Sequence, residues 1–221
     1  MEPGRVADTY AGYRARLVER LREQGIRDLA VLRAFGETPR HLFVPEALRE
    51  RAYEDTALPI GRGQTISRPL THANYLQALS LQGKERVLEV GTGSGYQAAL
   101  LSQLVAQVFT VERFAQLADR AREGVAQAGV RNVTVLVGDG SLGWRPYAPY
   151  DAILVSAAAP SVPQPLLDQL GDGGRLLVPL GGADAQELIR ITRRGSTFND
   201  ERLSAASFVP LVGRHGTNDA R

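Results

Sequence analysis

Cysteine is absent from this 221-residue chain, which excludes disulfides, thiolate metal sites and a cysteine nucleophile. Lysine is nearly absent: Lys84 is the single one among 26 basic residues, an imbalance that reads as codon composition rather than a use of guanidinium. His41, His72 and His215 are the only histidines, and they lack metal-ligand spacing. No apolar run approaches the ~20 residues of a membrane span. The start, Met1-Glu2-Pro3-Gly4-Arg5, has no apolar signal core, so nothing marks it for secretion. Charge of one sign is also missing: the formal net charge is +2 and the arginines are scattered, without the concentrated basic face that nucleic acid requires. These absences predict a cytoplasmic protein with no metal, no membrane and no nucleic-acid partner. What remains is 43% hydrophobic and 23% charged, the composition of a globular chain with a full core.

The pattern along the chain changes twice. Residues 1–82 read as a helical and loop cap. An amphipathic helix over 10–22 presents Tyr13, Leu17 and Leu21 on one face; Asp28 is placed to cap a helix over 29–35. Pro39 and Pro45 bracket a turn before a helix over 46–53. Residues 58–69, rich in Gly and Pro, read as a loop, and 71–81 as a helix. Over 83–182 strands alternate with helices. Strands are expected at 86–90, 107–111, 133–137, 150–155 and 175–180, with helices at 96–104, 114–129 and 163–170, where Pro163 suits the first helical position. Such alternation predicts an α/β fold: a doubly wound, mostly parallel sheet with helices on both faces. In the tail, 183–221, strands at 188–192 and 206–212 separated by turn-rich sequence predict an antiparallel addition. All three parts are expected to form a single domain over 1–221.

The most informative run is Val87-Leu88-Glu89-Val90-Gly91-Thr92-Gly93-Ser94-Gly95-Tyr96. A short apolar strand feeds a turn with three alternating glycines and then a helix, the layout of a nucleotide-type site at the end of a buried parallel strand. A dinucleotide fingerprint needs G-x-G-x-x-G, but here the third glycine comes one position early. A Walker loop would need Gly-Lys-Ser/Thr, which is missing. Glu89, next to the turn, is a poor neighbour for a pyrophosphate and an acceptable one for a cationic ligand. The pattern E-x-G-x-G-x-G resembles the first motif of S-adenosylmethionine-dependent methyltransferases; a nicotinamide enzyme or a plain strand-to-helix turn are the other readings of the motif alone. Glu112 ends the next strand, 21 residues after Gly91, the spacing at which an acid meets a ribose diol. Gly138-Asp139-Gly140 follows the third strand, where a carboxylate can accept from an adenine amino group. An ordinary turn would also use Asp and Gly there.

A second run is Gly61-Arg62-Gly63-Gln64-Thr65-Ile66-Ser67-Arg68-Pro69. Together with the glycine motif through Gln97, Gly138-Asp139-Gly140, Tyr150-Asp151-Ala152-Ile153-Leu154-Val155-Ser156-Ala157-Ala158-Ala159-Pro160 and Gly173-Gly174-Arg175-Leu176-Leu177-Val178-Pro179-Leu180-Gly181, it resembles the protein-L-isoaspartate O-methyltransferase family. Thr38-Pro39-Arg40-His41-Leu42-Phe43-Val44-Pro45 and Phe208-Val209-Pro210-Leu211-Val212 are similar to it as well, so the likeness runs in order from about residue 18 to 212. Two positions differ from the usual pattern: His72 stands where a bulkier or sulfur-containing residue is common, and Ser141-Leu142 replaces an aromatic after Gly140.

The resemblance implies methyl transfer from S-adenosylmethionine, leaving S-adenosylhomocysteine, to the free carboxylate of L-isoaspartyl residues in damaged peptides and proteins, with D-aspartyl residues as a further acceptor. It implies no metal and a monomer. Glu89, Gly91, Thr92, Gly93, Ser94, Gly95, Glu112, Arg113, Asp139 and Gly140 are the implied cofactor residues. Ser67, assisted by Thr65, is the implied holder of the acceptor. The alternative is another methyltransferase of this fold, acting on a specific peptide aspartate or a small molecule. A tailoring enzyme of that kind would be expected to carry an added recognition segment, whereas this chain ends about nine residues after its last expected strand. A non-catalytic peptide-binding module would be expected to have lost ligand residues.

Overall fold

The computed structural model describes residues 9–182 and 184–218; Met1 to Arg5, read above for a signal, lie outside these. Two helices, α1 (Ala11–Glu23) and α2 (Leu29–Glu37), open the chain. Asp28 caps α2 as its type suggests, its carboxylate accepting from the N–H groups of Ala30 and Val31 at 2.9 and 3.2 Å. In α1, Leu17 and Leu21 are buried, but Tyr13 on the same face is 45% exposed. Residues 46–51 form a 3₁₀ segment in place of the expected α-helix.

The Gly/Pro-rich stretch expected as a loop is a small antiparallel hairpin, β1 (Leu58–Gly61) and β2 (Gln64–Ile66). Its tip needs left-handed backbone at Gly61 (φ 97°) and Gly63 (φ 68°), and Arg62 between them is forced to φ 55°. Then α3 (Pro69–Leu79) starts on its proline, a residue suited to a first turn.

The core alternates β3 (Arg86–Val90), α4 (Tyr96–Ser102), β4 (Gln107–Glu112), α5 (Ala115–Gln127), β5 (Val133–Val137), β6 (Tyr150–Val155), α6 (Gln164–Asp168) and β7 (Leu170–Gly181). Pro163 caps α6 rather than occupying its first turn. The hairpin β8 (Gln186–Arg194) and β9 (Thr197–Ala206) closes one edge. The seven-stranded sheet has the order β5-β4-β3-β6-β7-β8-β9, with β7, β8 and β9 paired antiparallel. The strand expected at 206–212 is therefore misplaced. The antiparallel partner of β8 is the polar segment 197–206, and residues 207–212 instead cross the ends of the parallel strands, where the Ala158 N–H donates to the Val209 carbonyl at 2.8 Å.

The order reverses between β3 and β6, which are hydrogen-bonded neighbours. From β3 the chain winds one way through α4 and α5; from β6 it winds the other way through α6. The gap beyond the carboxyl ends of β3 and β6 is where ligands of open parallel sheets sit. Strand alternation splits the core: Val87, Val108 and Leu154 face the helical layer with Leu17, Phe35, Tyr96 and Leu100, whereas Leu88, Val111 and Ile153 face the other side with Tyr150 and Leu166.

Candidate active site

The three-glycine turn lies at that gap. Gly91, Gly93 and Gly95 all have positive φ, 94°, 54° and 85°. They do different work. A side chain on Gly95 would meet Cβ of Ala121 on α5 at 3.0 Å, so this glycine permits α4 and α5 to approach. Gly91 and Gly93 line a cavity together with Thr92, Ser94, Glu112, Arg113 and Gly140. Gly140 must be small because a Cβ there would stand 2.5 Å from Cγ1 of Val90.

Behind the turn runs a buried hydroxyl relay. Thr92 and Thr110 hydroxyls are 2.6 Å apart, and Thr110 donates to Oε2 of Glu89 at 2.6 Å. Glu89 is fully buried, and its Oε1 has no hydrogen-bond partner. Burial pushes its carboxyl up to about 8, with Glu112 adding to the rise and the Thr110 bond opposing it. A buried, unsatisfied acceptor of this kind suits a cationic donor. Glu112 accepts from Gly93 N–H at 2.8 Å and Phe114 N–H at 3.0 Å, which ties the end of β4 to the glycine turn. Burial raises its pKa as well, partly offset by those donors.

Asp139 stands apart from the cavity-lining set. Its Oδ1 accepts from the Ser141 N–H and hydroxyl at 2.9 and 2.7 Å, and its Oδ2 accepts from the Arg214 N–H at 2.8 Å. Burial works against its charge, but these donors hold it below the ordinary carboxylate range. The carboxylate thus clasps the C-terminal segment. In addition, the Leu211 N–H donates to the Ala158 carbonyl at 2.7 Å.

On the opposite wall, Gln64, Thr65, Ile66 and Ser67 bring the β1–β2 hairpin and its exit to the same cavity. The structure so places ten of the twelve site residues singled out from the sequence around one cavity, with Asp139 and Gly95 behind them. His72, Gln97, Ser156 and residues 209–212 also line the cavity. None of these has a periodicity or spacing that marks it as a site residue; only the family resemblance, whose runs include Gln97, Ser156 and 209–212 and which His72 departs from, touched these positions. Among the described residues no group of three or more His, Asp or Glu is placed to hold a metal, and no helix is long and apolar enough to cross a membrane.

The model of the family described as protein-L-isoaspartate(D-aspartate) O-methyltransferase matches residues 13–216. The chain belongs to that family. Among its relatives, a protein-L-isoaspartate O-methyltransferase of Methanoculleus marisnigri is 51% identical over 211 residues, 95% of this chain and 96% of the relative. One from Roseiflexus sp. is 52% identical over 206 residues, 93% and 94% of the two chains. A solved protein-L-isoaspartate O-methyltransferase superposes with a TM-score of 0.83 at 30% identity, covering 92% of this chain and 67% of the other. A Plasmodium falciparum protein described as a putative member, in complex with S-adenosyl-L-homocysteine, superposes at 0.80 with 26% identity, over 90% and 98%.

Proposed function

We propose that this protein transfers a methyl group from S-adenosylmethionine to the free carboxylate of L-isoaspartyl residues in damaged peptides and proteins, which starts their repair. The observation that carries the reading is the meeting of the Ser67 loop and the glycine turn on one cavity, in a chain about half identical to named isoaspartate methyltransferases over nearly its full length. The residues fit the donor molecule: the turn offers bare backbone, Glu89 a buried acceptor for a cation, and Glu112 a carboxylate for hydroxyls. When bound, S-adenosylmethionine supplies an electrophilic methyl group on a sulfonium.

The acceptor, an α-carboxylate, is ionised at neutral pH. The protein therefore needs no general base, and its task is to place one carboxylate oxygen in line. Such placement is worth ~7–11 kcal/mol of barrier. Ser67 holds the carboxylate through its hydroxyl, with Thr65 and main-chain N–H groups assisting. Because transfer consumes a cation and an anion, strong charge pairing to the carboxylate would stabilise the ground state more than the transition state. Neutral donors avoid that cost. Thr92, Ser94, Gly140, Arg113 and Asp139 complete the cofactor side, Asp139 from beneath the C-terminal segment. A monomer in the cytoplasm, folded as one domain, belongs to the same reading.

Ser67→Ala tests it. Loss of one neutral hydrogen bond at the transition state costs ~1–3 kcal/mol, or about 5- to 150-fold in kcat, with S-adenosylhomocysteine affinity nearly unchanged. A native rate with saturating cofactor would assign Ser67 to turn structure alone.

A further inference from the structure

A layer of buried polar side chains lies between the Ser67 loop and the first turn of α4. At its centre is Arg40, fully buried although it is an arginine. Its Nε donates to the Ala52 carbonyl at 2.7 Å and its Nη2 to the Ser67 carbonyl at 2.8 Å. Its guanidinium carbon stands 4.8 Å from the centroid of the Tyr96 ring. Tyr96, also fully buried, is the first residue of α4 and directly follows Gly95. His72 on α3 meets the Tyr96 ring edge-on at 5.5 Å and hydrogen-bonds through Nδ1 to Gln97, the next residue of α4. Burial and the Arg40 charge hold His72 neutral, with its pKa down at about 3.

A buried guanidinium is costly to desolvate, and an apolar side chain of similar volume fills such space at less cost. Burial brings Arg40 down to about 10, so it remains charged at neutral pH. Its partners explain what the charge does. One hydrogen bond ends on the main chain of the residue assigned to the acceptor carboxylate. The guanidinium carbon lies over the ring of Tyr96, the residue that follows the cofactor turn. The two hydrogen bonds, from Nε to Ala52 and from Nη2 to Ser67, use the planar fork of arginine, which an ammonium cannot reproduce.

We propose that Arg40 is a positioning residue for methyl transfer: it ties the main chain of Ser67 to Tyr96 and so holds the acceptor loop in register with the glycine turn. Arg40 touches neither substrate. The proposal rests on reading the Ser67 loop as the acceptor side.

The test is a double-mutant cycle on the full-length protein with Arg40→Lys and Ser67→Ala. The readouts are kcat on an isoaspartyl peptide with saturating S-adenosylmethionine, and S-adenosylhomocysteine affinity by calorimetry. Loss of register on the scale of an ångström lowers kcat of Arg40→Lys by about 10- to 100-fold, with product affinity held within about 2-fold. The double variant falls no more than about 3-fold below the worse single variant, because both changes act through one loop. A native kcat in Arg40→Lys, a parallel loss of product affinity, or, where Ser67→Ala itself lowers kcat, fully multiplicative effects would each overturn the proposal. If Arg40→Lys does not fold, Arg40→Met keeps the apolar stem and gives the same readouts. A silent Ser67→Ala would remove the reading of Ser67 alone, since Arg40 is still judged by its own split between kcat and affinity.

Discussion

With the cofactor's cation placed against Glu89 as proposed, cofactor binding is a proton-linked event. Its carboxyl is buried, accepts one bond from Thr110, and has a pKa of about 8. At pH 7 it is therefore about nine-tenths protonated in the free protein. A ligand ammonium or sulfonium beside Oε1 favours the ionised form and expels that proton. If ionisation on binding is complete, S-adenosylhomocysteine binding releases about 0.9 proton at pH 7, and its affinity rises about ninefold from pH 6 to pH 7. The sign follows from the raised pKa: below it, binding must first remove a proton, and that cost falls as pH rises toward 8. Calorimetry in buffers of different ionisation enthalpy reads the proton count directly. Glu112 is raised too, so Glu89→Gln is the needed control; it should abolish most of the release and flatten the affinity profile below pH 7. A native protein that binds with no proton release and constant affinity between pH 6 and 7 would refute the placement of a cation against Glu89.

Three further outcomes follow from the same geometry. Asp139→Ala should weaken S-adenosylhomocysteine binding by about 10- to 100-fold, from loss of the charge-assisted hydrogen bonds, worth ~1.5–3 kcal/mol each, by which Asp139 holds Ser141 and the C-terminal segment beside the cavity; it should also speed amide exchange at Arg214, whose N–H that carboxylate holds, and unchanged exchange would deny the clasp. Gly95→Ala should lower stability by about 1–3 kcal/mol, because the new methyl meets Ala121 at 3.0 Å on a backbone at φ 85°; a denaturant midpoint equal to native would contradict it. His72 has a pKa lowered to about 3 by burial and then by Arg40, so its stabilising contribution is complete above its unfolded value near 6.5 and is lost as pH falls from there toward 3. Urea titrations should accordingly show native stability falling below pH 6.5 more steeply than in His72→Gln, and parallel profiles would remove the effect.

What could be read from the sequence was what local chemistry determines. Glycine alternation after a short apolar strand marks the turn at Gly91 to Gly95, and an acid at the end of the next strand marks Glu112. Asp28 was legible as a cap because its type and place suffice. The hairpin at Leu58–Ile66 was hidden because Gly61 and Gly63 serve a tight tip rather than a loop and Pro59 sits within β1. β9 was hidden for another reason: Thr197–Ala206 is a largely exposed edge strand whose residues carry no apolar alternation, so only pairing with β8 makes it a strand. The apolar run at 206–212 drew the strand assignment instead, although its carbonyls and N–H groups are used across the sheet ends. In the site, His72, Gln97 and Arg40 were illegible as a group. They come from three separate elements, and only the folded chain brings Arg40 to Ser67 across 27 residues of sequence.

The most direct measurement is methyl transfer from labelled S-adenosylmethionine to two peptides of identical composition, one with an L-isoaspartyl residue and one with L-aspartyl at the same place. The two differ only in which carboxylate is free and how far it lies from the backbone. The account predicts base-labile methyl ester on the isoaspartyl peptide and little above background on its twin. Equal labelling of both peptides, or labelling of neither while S-adenosylmethionine still binds, would contradict it.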